Sequence, residues 1–297
     1  MRTLGVDVSR WQGDVNWSAL AASGVRFAFV KATEGSRFVD PTFARNWPLA
    51  HEAGLFRGAY HFGRPGGDAE TQAAHFAATV GDLGLRDLPP VLDLEESDGH
   101  GAKHVLQWAE AFVRMAESLF GRQVILYTGG FWRFQLGNPD IAFFRQRKLW
   151  LAAYTRSPVV PASWQDWTFW QYSDGTHNAP ASLPGLVGPV DQNFFQGGEA
   201  DLAALCEGSR PPSAAPQAGS NPQTWPGIHF IWPKDPPVSG NTVRLFQTRL
   251  AVLGFQVAAD GVYGPQSRAA CLAFQRERGL NQDGIVGPAT WDACVRD

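Results

Sequence analysis

The segment PPVLDLEES at 89–97 is an apolar run that ends in carboxylates at Asp93 and Glu95, spaced i and i+2. On an extended strand that spacing turns both side chains to one face, with β-carbons about 6–7 Å apart. At such a separation each carboxylate alters the proton affinity of the other. Hydrolysis of a glycosidic bond needs an asymmetric pair of this kind. One carboxyl keeps a proton for the leaving oxygen, and the other stays charged beside the cationic centre. Two further carboxylates occupy strand-like runs, Asp7 in GVDVSRWQG at 5–13 and Asp191 in VDQNFF at 190–195. If the first and last strands are neighbours in a closed sheet, four carboxylates meet in one cleft. That arrangement opposes folding and therefore points to function.

Strands must hold these groups in place, and the runs at 4–8, 26–31, 56–62, 90–95, 123–128, 149–154, 168–172 and 190–194 read as strands. Helical stretches lie among the early ones, at 41–53, 69–80 and 103–120. The alternation predicts an α/β fold, a flattened TIM-like (β/α) barrel of about eight strands with its functional side chains at the C-terminal strand ends. His61 in GAYHF at 58–62 is expected to line the groove or end a strand, Glu34 can reach the cleft, and Glu96 alternates away from it. His100 and His104 have the i, i+4 spacing of a zinc pair, but no HExxH glutamate lies between them. Neither a metal nor an organic cofactor is expected.

With 297 residues, 44% of them hydrophobic and 18% charged, the chain can fill more than one core. Its 25 basic and 28 acidic residues give a formal charge of −3, which argues against the nucleic-acid backbone as a main partner. Twelve tryptophans and 32 glycines suit flat stacking surfaces such as those that take sugar rings. The three cysteines, Cys206, Cys271 and Cys294, have no metal-like spacing, and pairing of the last two is left open. No apolar run approaches the ~20 residues of a membrane span, so membrane insertion is not expected. The chain enters a strand directly after Met1, with no signal-peptide pattern.

Residues 1–206 form the first predicted domain. From 207 to 239 the chain holds 8 of its 21 prolines and reads as a stiff linker. Trp225, Phe230, Ile231 and Trp232 within it suggest a partly docked segment. In 240–297 the turn DGVYGP at 260–265 recurs as DGIVGP at 283–288. Each copy offers glycine freedom and then a proline at the first helical position, which predicts a small three-helix module. Val243, Leu245, Phe246, Leu250, Val252 and Leu253 fit one face of its first helix.

Taken in order, GVDVSRWQG, FVKATEG at 29–35, GAYHF, PPVLDLEE at 89–96, ILYTG at 125–129, LWLAAY at 149–154, FWQYS at 169–173 and VDQNFF resemble glycoside hydrolase family 25, the lysozyme-type muramidases. Residues 243–294 resemble the type 1 peptidoglycan-binding module through VRLFQTRLAVLG, the two DGxxGP turns, CLAFQRERGL and TWDAC. The first resemblance implies Glu95 as general acid and Asp93 as its charged partner, with retention of configuration. The attacking group is either the substrate's own N-acetyl oxygen or a carboxylate. Asp7 and Asp191 would tune that pair, and Tyr60, Tyr127, Tyr154 and Trp170 would line the groove. Together the resemblances imply a lysozyme that cuts the β-1,4 bond between N-acetylmuramic acid and N-acetylglucosamine, with bacterial peptidoglycan as partner. A monomer is expected, deployed like a phage endolysin from the host cytoplasm to the wall, or extracellular by another route. The rival readings are a catalytically inactive wall-binding protein and a chitinase-like hydrolase.

Overall fold

The computed structural model describes residues 2–178, 180, 182–208, 229–232 and 238–296. The chain divides into two units, residues 1–211 and 212–297. Within the predicted linker, residues 209–228, Trp225 among them, and 233–237 lie outside the described residues.

In the first unit the strands are β1 (Thr3–Val8), β2 (Phe27–Glu34), β3 (Phe38–Val39), β4 (Phe56–Phe62), β5 (Val91–Asp93), β6 (Ile125–Thr128), β7 (Leu149–Ala152), β8 (Phe169–Ser173) and β9 (Asp191–Phe195). Their order is β1-β9-β8-β7-β6-β5-β4-β2-β3, and the additional β1–β2 pairing closes eight of them into a barrel. The β3 strand is an antiparallel addition to β2 outside the ring. The β9 strand runs antiparallel to both its neighbours, β8 and β1, while the other barrel pairs are parallel. A parallel pair needs a crossover, which the early helices supply; β9 is reached by a return at one end and needs none.

Side-chain alternation separates two cores. The inward positions of β2, β7 and β8 carry Phe27, Phe29, Trp150 and Phe169, which fill the barrel with Val91, Ile125 and Phe195. Gly5 and Gly58 are required opposite these rings, because an added β-carbon would lie 2.3 Å from Phe27 or 2.4 Å from Phe29. Helix α6 (Glu199–Gly208) contributes Leu202 and Cys206 to the same core. The outward positions pack against α1 (Trp17–Ala22), α2 (Phe43–Glu52), α3 (Ala69–Val80), α4 (Ala102–Phe120) and α5 (Ala142–Arg145). Helix α4 shows why: Val105, Ala109, Phe112, Val113 and Ala116 recur at helical spacing and are all fully buried. Gly121, at φ 63°, ends it in the left-handed conformation.

The second unit packs α7 (Asn241–Val252), α8 (Pro265–Glu277) and α9 (Pro288–Arg296) around Phe246, Tyr263, Phe274 and Trp291. Phe230 is buried in this core and exchanges backbone hydrogen bonds with Val286, and Trp232 and Val238 pack beside it. The apolar face of α7 is narrower than its composition predicts. Val243, Phe246 and Leu250 are buried, whereas Leu245 and Val252 are exposed, because they flank the buried row by one or two positions. All three cysteines are buried free thiols. Among the described residues no helix is long and apolar enough to cross a membrane.

Candidate active site

The parallel strands bring their C-terminal ends to one mouth, and β9 enters that mouth with its first residue because it runs the other way. Asp7, near the end of β1, is therefore paired in register with Asp191, at the start of β9. Asp93 is the last residue of β5. The strand is shorter than the sequence suggests: the Leu94 N–H still donates to the Tyr127 carbonyl at 2.9 Å, but Glu95 stands beyond the ladder and is exposed. Its electrostatic contact with Asp93 and Asp7 nevertheless brings all four carboxylates into one cluster.

Neighbours from four strands hold Asp7. Its Oδ2 accepts from Gln171 Nε2 at 2.9 Å and from Asn193 Nδ2 at 2.7 Å. Gln171 Oε1 in turn accepts from the Tyr127 and Tyr154 hydroxyls at 2.9 and 2.8 Å, and Asn193 Oδ1 accepts from Trp150 Nε1 at 2.7 Å. Burial pushes Asp7 up to about 6 against these hydrogen bonds. Burial followed by the charge of Asp7 pushes Asp191 up to about 9, so the pair retains a proton at neutral pH.

Asp93 is only 6% exposed, and its Oδ1 finds no hydrogen-bond partner among the described residues. Burial, then the nearby Glu95 charge, holds its carboxyl well above the usual range. Glu95 is raised as well, by the protein that surrounds it and then by Asp7. Lys31 opposes both shifts. Its ammonium lies 4.7 Å from the Phe62 ring centroid and donates to Glu34 Oε2 at 2.8 Å. Glu34 is thus committed to Lys31, with Arg64 at 4.0 Å. Glu96 folds back to accept from the Ser97 and Asp98 N–H groups.

Of the predicted groove residues, the structure places Tyr60, Tyr127 and Tyr154 at the carboxylates. Burial followed by nearby carboxylate charge raises the phenol pKa of all three, which keeps them protonated. His61 does stand at the end of β4, but the expectation that it lines the groove is corrected. It is fully buried between the barrel and the helix layer, its ring stacked 4.8 Å from Phe112, with Nδ1 at 2.8 Å from Thr33 Oγ1 and Nε2 at 3.1 Å from Gln72 Oε1. Burial lowers it to about 3, so it is neutral. The expectation for Trp170 is corrected too: its ring belongs to the outer core, and its Nε1 donates to the Ala153 carbonyl. Tyr60 and Gln171 take the inward positions beside them, and adjacent strand residues cannot share a face.

His104 Nε2 lies 2.9 Å from the Pro65 carbonyl, with the His100 ring stacked 4.1 Å away. A cleft of about 460 Å³ lined by Pro89, Lys148, Thr168 and Asp201 lies away from the four carboxylates. The sequence reading does not single out Lys31, Gln171, Asn193 or Trp150 as site residues. Their signal was available in parity: each follows an inward apolar residue or precedes one by two positions.

A mouth that gathers several proton-retaining carboxyls beside phenol rings suits acid-assisted cleavage of a polar, ring-shaped substrate. Comparison with known proteins gives the same direction. A model described as glycosyl hydrolases family 25 matches residues 6–179, and one described as a putative peptidoglycan binding domain matches residues 239–293. Lysozyme M1 of Streptomyces globisporus is 36% identical over 211 residues, 68% of this chain and 70% of that protein. The N,O-diacetylmuramidase of Chalaropsis sp. is 33% identical over 186 residues, 57% of this chain and 87% of that protein. Among solved structures, the bacterial lysozyme from Streptomyces coelicolor superposes with a TM-score of 0.65 at 35% identity, covering 70% of this chain and 98% of that one.

Proposed function

The chain belongs to glycosyl hydrolases family 25, and from that premise we propose that it is an N-acetylmuramidase that cuts the β-1,4 bond between N-acetylmuramic acid and N-acetylglucosamine in bacterial peptidoglycan. The observation that carries the reading is the convergence of Asp7, Asp93, Glu95 and Asp191, all with raised proton affinity, at the mouth of one barrel.

Glu95 is the general acid. It is the accessible member of the cluster, and its raised affinity keeps a proton ready for the leaving oxygen. Asp93 is the partner carboxyl. Its carboxyl, 6% exposed, accepts from a substrate acetamide N–H and so turns the acetamide oxygen onto the anomeric carbon. Positive charge developing at that carbon, with Lys31 nearby, favours the ionised form of Asp93 during the step. Asp7 and Asp191 share a proton, and Asp7 holds the Gln171 and Asn193 amides in a fixed orientation.

The C-terminal unit, which matches a putative peptidoglycan binding domain, holds the enzyme on the wall and raises the substrate concentration that the barrel meets. We further propose that the protein acts as a monomer without nucleic acid or membrane insertion, and that it reaches the wall as an endolysin does, from a host cytoplasm through a lesion in the membrane. Mass spectrometry of borohydride-reduced products from purified peptidoglycan tests the central reading. Muramitol ends that appear with the wild type and vanish with Glu95→Gln are the expected result. Glucosaminitol ends would move the cut to the other linkage, and wall binding without new ends would favour a binding protein.

A further inference from the structure

Trp11 is 77% exposed, directly after the strand that carries Asp7. Single exposed apolar side chains are ordinary on protein surfaces. This one is held out by a turn with unusually many restraints. The Ser9 N–H donates to Gln12 Oε1 at 2.8 Å, and the Trp11 N–H donates to Ser9 Oγ at 3.3 Å. The Arg10 N–H donates to Oδ2 of Asp40, a carboxylate that is 1% exposed and is also bound by the Thr42 N–H and hydroxyl. Gly13 closes the turn at φ 61°, and its carbonyl accepts from Arg45.

Arg10 completes a platform. Its guanidinium lies 4.7 Å from the Trp11 ring centroid and 4.9 Å from that of Phe38, on the β3 extension of the neighbouring strand. It has no carboxylate partner among the described residues, whereas Lys31, Arg64 and Arg45 are committed to Glu34, Asp98 and Asp14. A guanidinium sandwiched between rings keeps its donor edge free, and that edge fits a carboxylate in a bidentate fashion. Trp11 is four residues from Asp7, so at most about 14 Å of chain separates it from the carboxylate cluster.

We propose that Trp11, Arg10 and Phe38 form a subsite for a muramyl unit that still carries its peptide stem, outside the pair of sugars whose bond is cut. The indole takes a sugar face, and the guanidinium takes a carboxylate of the stem. This inference rests on the muramidase reading and deepens it: it makes the preferred substrate a stem-bearing glycan and not a bare one.

The test measures KM and kcat of the full chain on soluble glycan oligomers with intact stems and on the same oligomers stripped of stems by an amidase, with the lactyl carboxyls that this uncovers capped as methyl amides. Trp11→Ala should raise KM for both about tenfold, the scale of one lost aromatic contact, with kcat within twofold, and Trp11→Phe should restore most of the loss. Arg10→Ala should raise KM for stem-bearing oligomers alone and erase the wild-type preference for them. An unchanged KM in Trp11→Ala, or an equal loss on both substrates in Arg10→Ala, overturns the subsite. If the wild type hydrolyses neither substrate, the muramidase reading fails. Calorimetric titration of wild type and Arg10→Ala with both oligomers then still decides the subsite: tenfold weaker binding of the stem-bearing form alone supports it, and equal affinities overturn it.

Discussion

Gln275 in the C-terminal unit and Asp93 in the barrel are both buried polar side chains, and the two units treat them in opposite ways. Gln275 Nε2 lies within 3.0–3.1 Å of Asp283 Oδ1, the Ile285 carbonyl and Thr290 Oγ1, and its Oε1 accepts from the Gly284 N–H at 2.9 Å. Gln247 repeats the arrangement with Asp260, Val262, Ser267 and Gly261. Each amide thus closes one of the two DGxxGP turns, and nothing in it is left for a ligand. Asp93 has an oxygen with no partner among the described residues, and it sits among carboxyls that repel one another. The contrast separates polar groups that make a fold from polar groups that a fold must tolerate in order to act on a substrate.

Glu95→Gln removes the proton donor and should lower kcat about 10³-fold while leaving wall binding unchanged and without lowering the thermal midpoint of the barrel. Rate measurements on soluble oligomers beside a pull-down on whole walls check this; loss of binding with hydrolysis intact would reverse the assigned roles. Gln275→Ala is the converse substitution. It strands the Gly284 N–H inside the module and should destabilise that unit by roughly 2–3 kcal/mol, with kcat on soluble oligomers unaltered. Calorimetry should find a lowered C-terminal transition beside an unmoved barrel transition, and a drop in both would erase the contrast.

The two units should also respond to pH with opposite signs. Asp7 and Asp191 have raised values in the folded barrel, so their contribution to stability is complete below the ordinary aspartate range near about 4. That contribution is lost as pH rises through about 6 and about 9. In the module, the Val262 N–H and the Gln247 amide lower Asp260; at Asp283 burial opposes, but the Ile285 N–H and Gln275 outweigh it. Their contribution is present above about 4 and is lost as acid protonates them. Scanning calorimetry from about pH 3 to about pH 9 should show the barrel transition falling toward alkali and the module transition falling toward acid. Parallel trends would refute the electrostatic account. The smallest effect is expected of Tyr127→Phe, which removes one of two hydroxyls on Gln171 and should cost the barrel about 1 kcal/mol, read as a shift in denaturant midpoint.

Much of the site was legible because its chemistry sits at strand ends. Asp7, Asp93, Glu95 and Asp191 could be brought together from the sequence, since closing a barrel joins the first and last strands. The two departures have one physical source. His61 and Trp170 stand next to Tyr60 and Gln171 in the chain, and neighbours on a strand face opposite sides. The same parity placed Lys31 behind Phe27 and Phe29 and would have put it in the barrel. The reversed direction of β9 had no local signal, because the loop before it reads alike whether it returns or crosses over.

The sequence by itself determined the strand and helix alternation, the two glycine-proline turns of the module and the residue types at the barrel mouth. These follow from backbone preferences and side-chain periodicity that act over a few neighbouring residues. Only the tertiary structure decided which faces turn inward, that β9 meets β1 in reverse, and which carboxyls keep their protons. Desolvation and Coulomb interaction depend on distances between side chains that lie far apart in the chain, and those distances exist only once the barrel has closed.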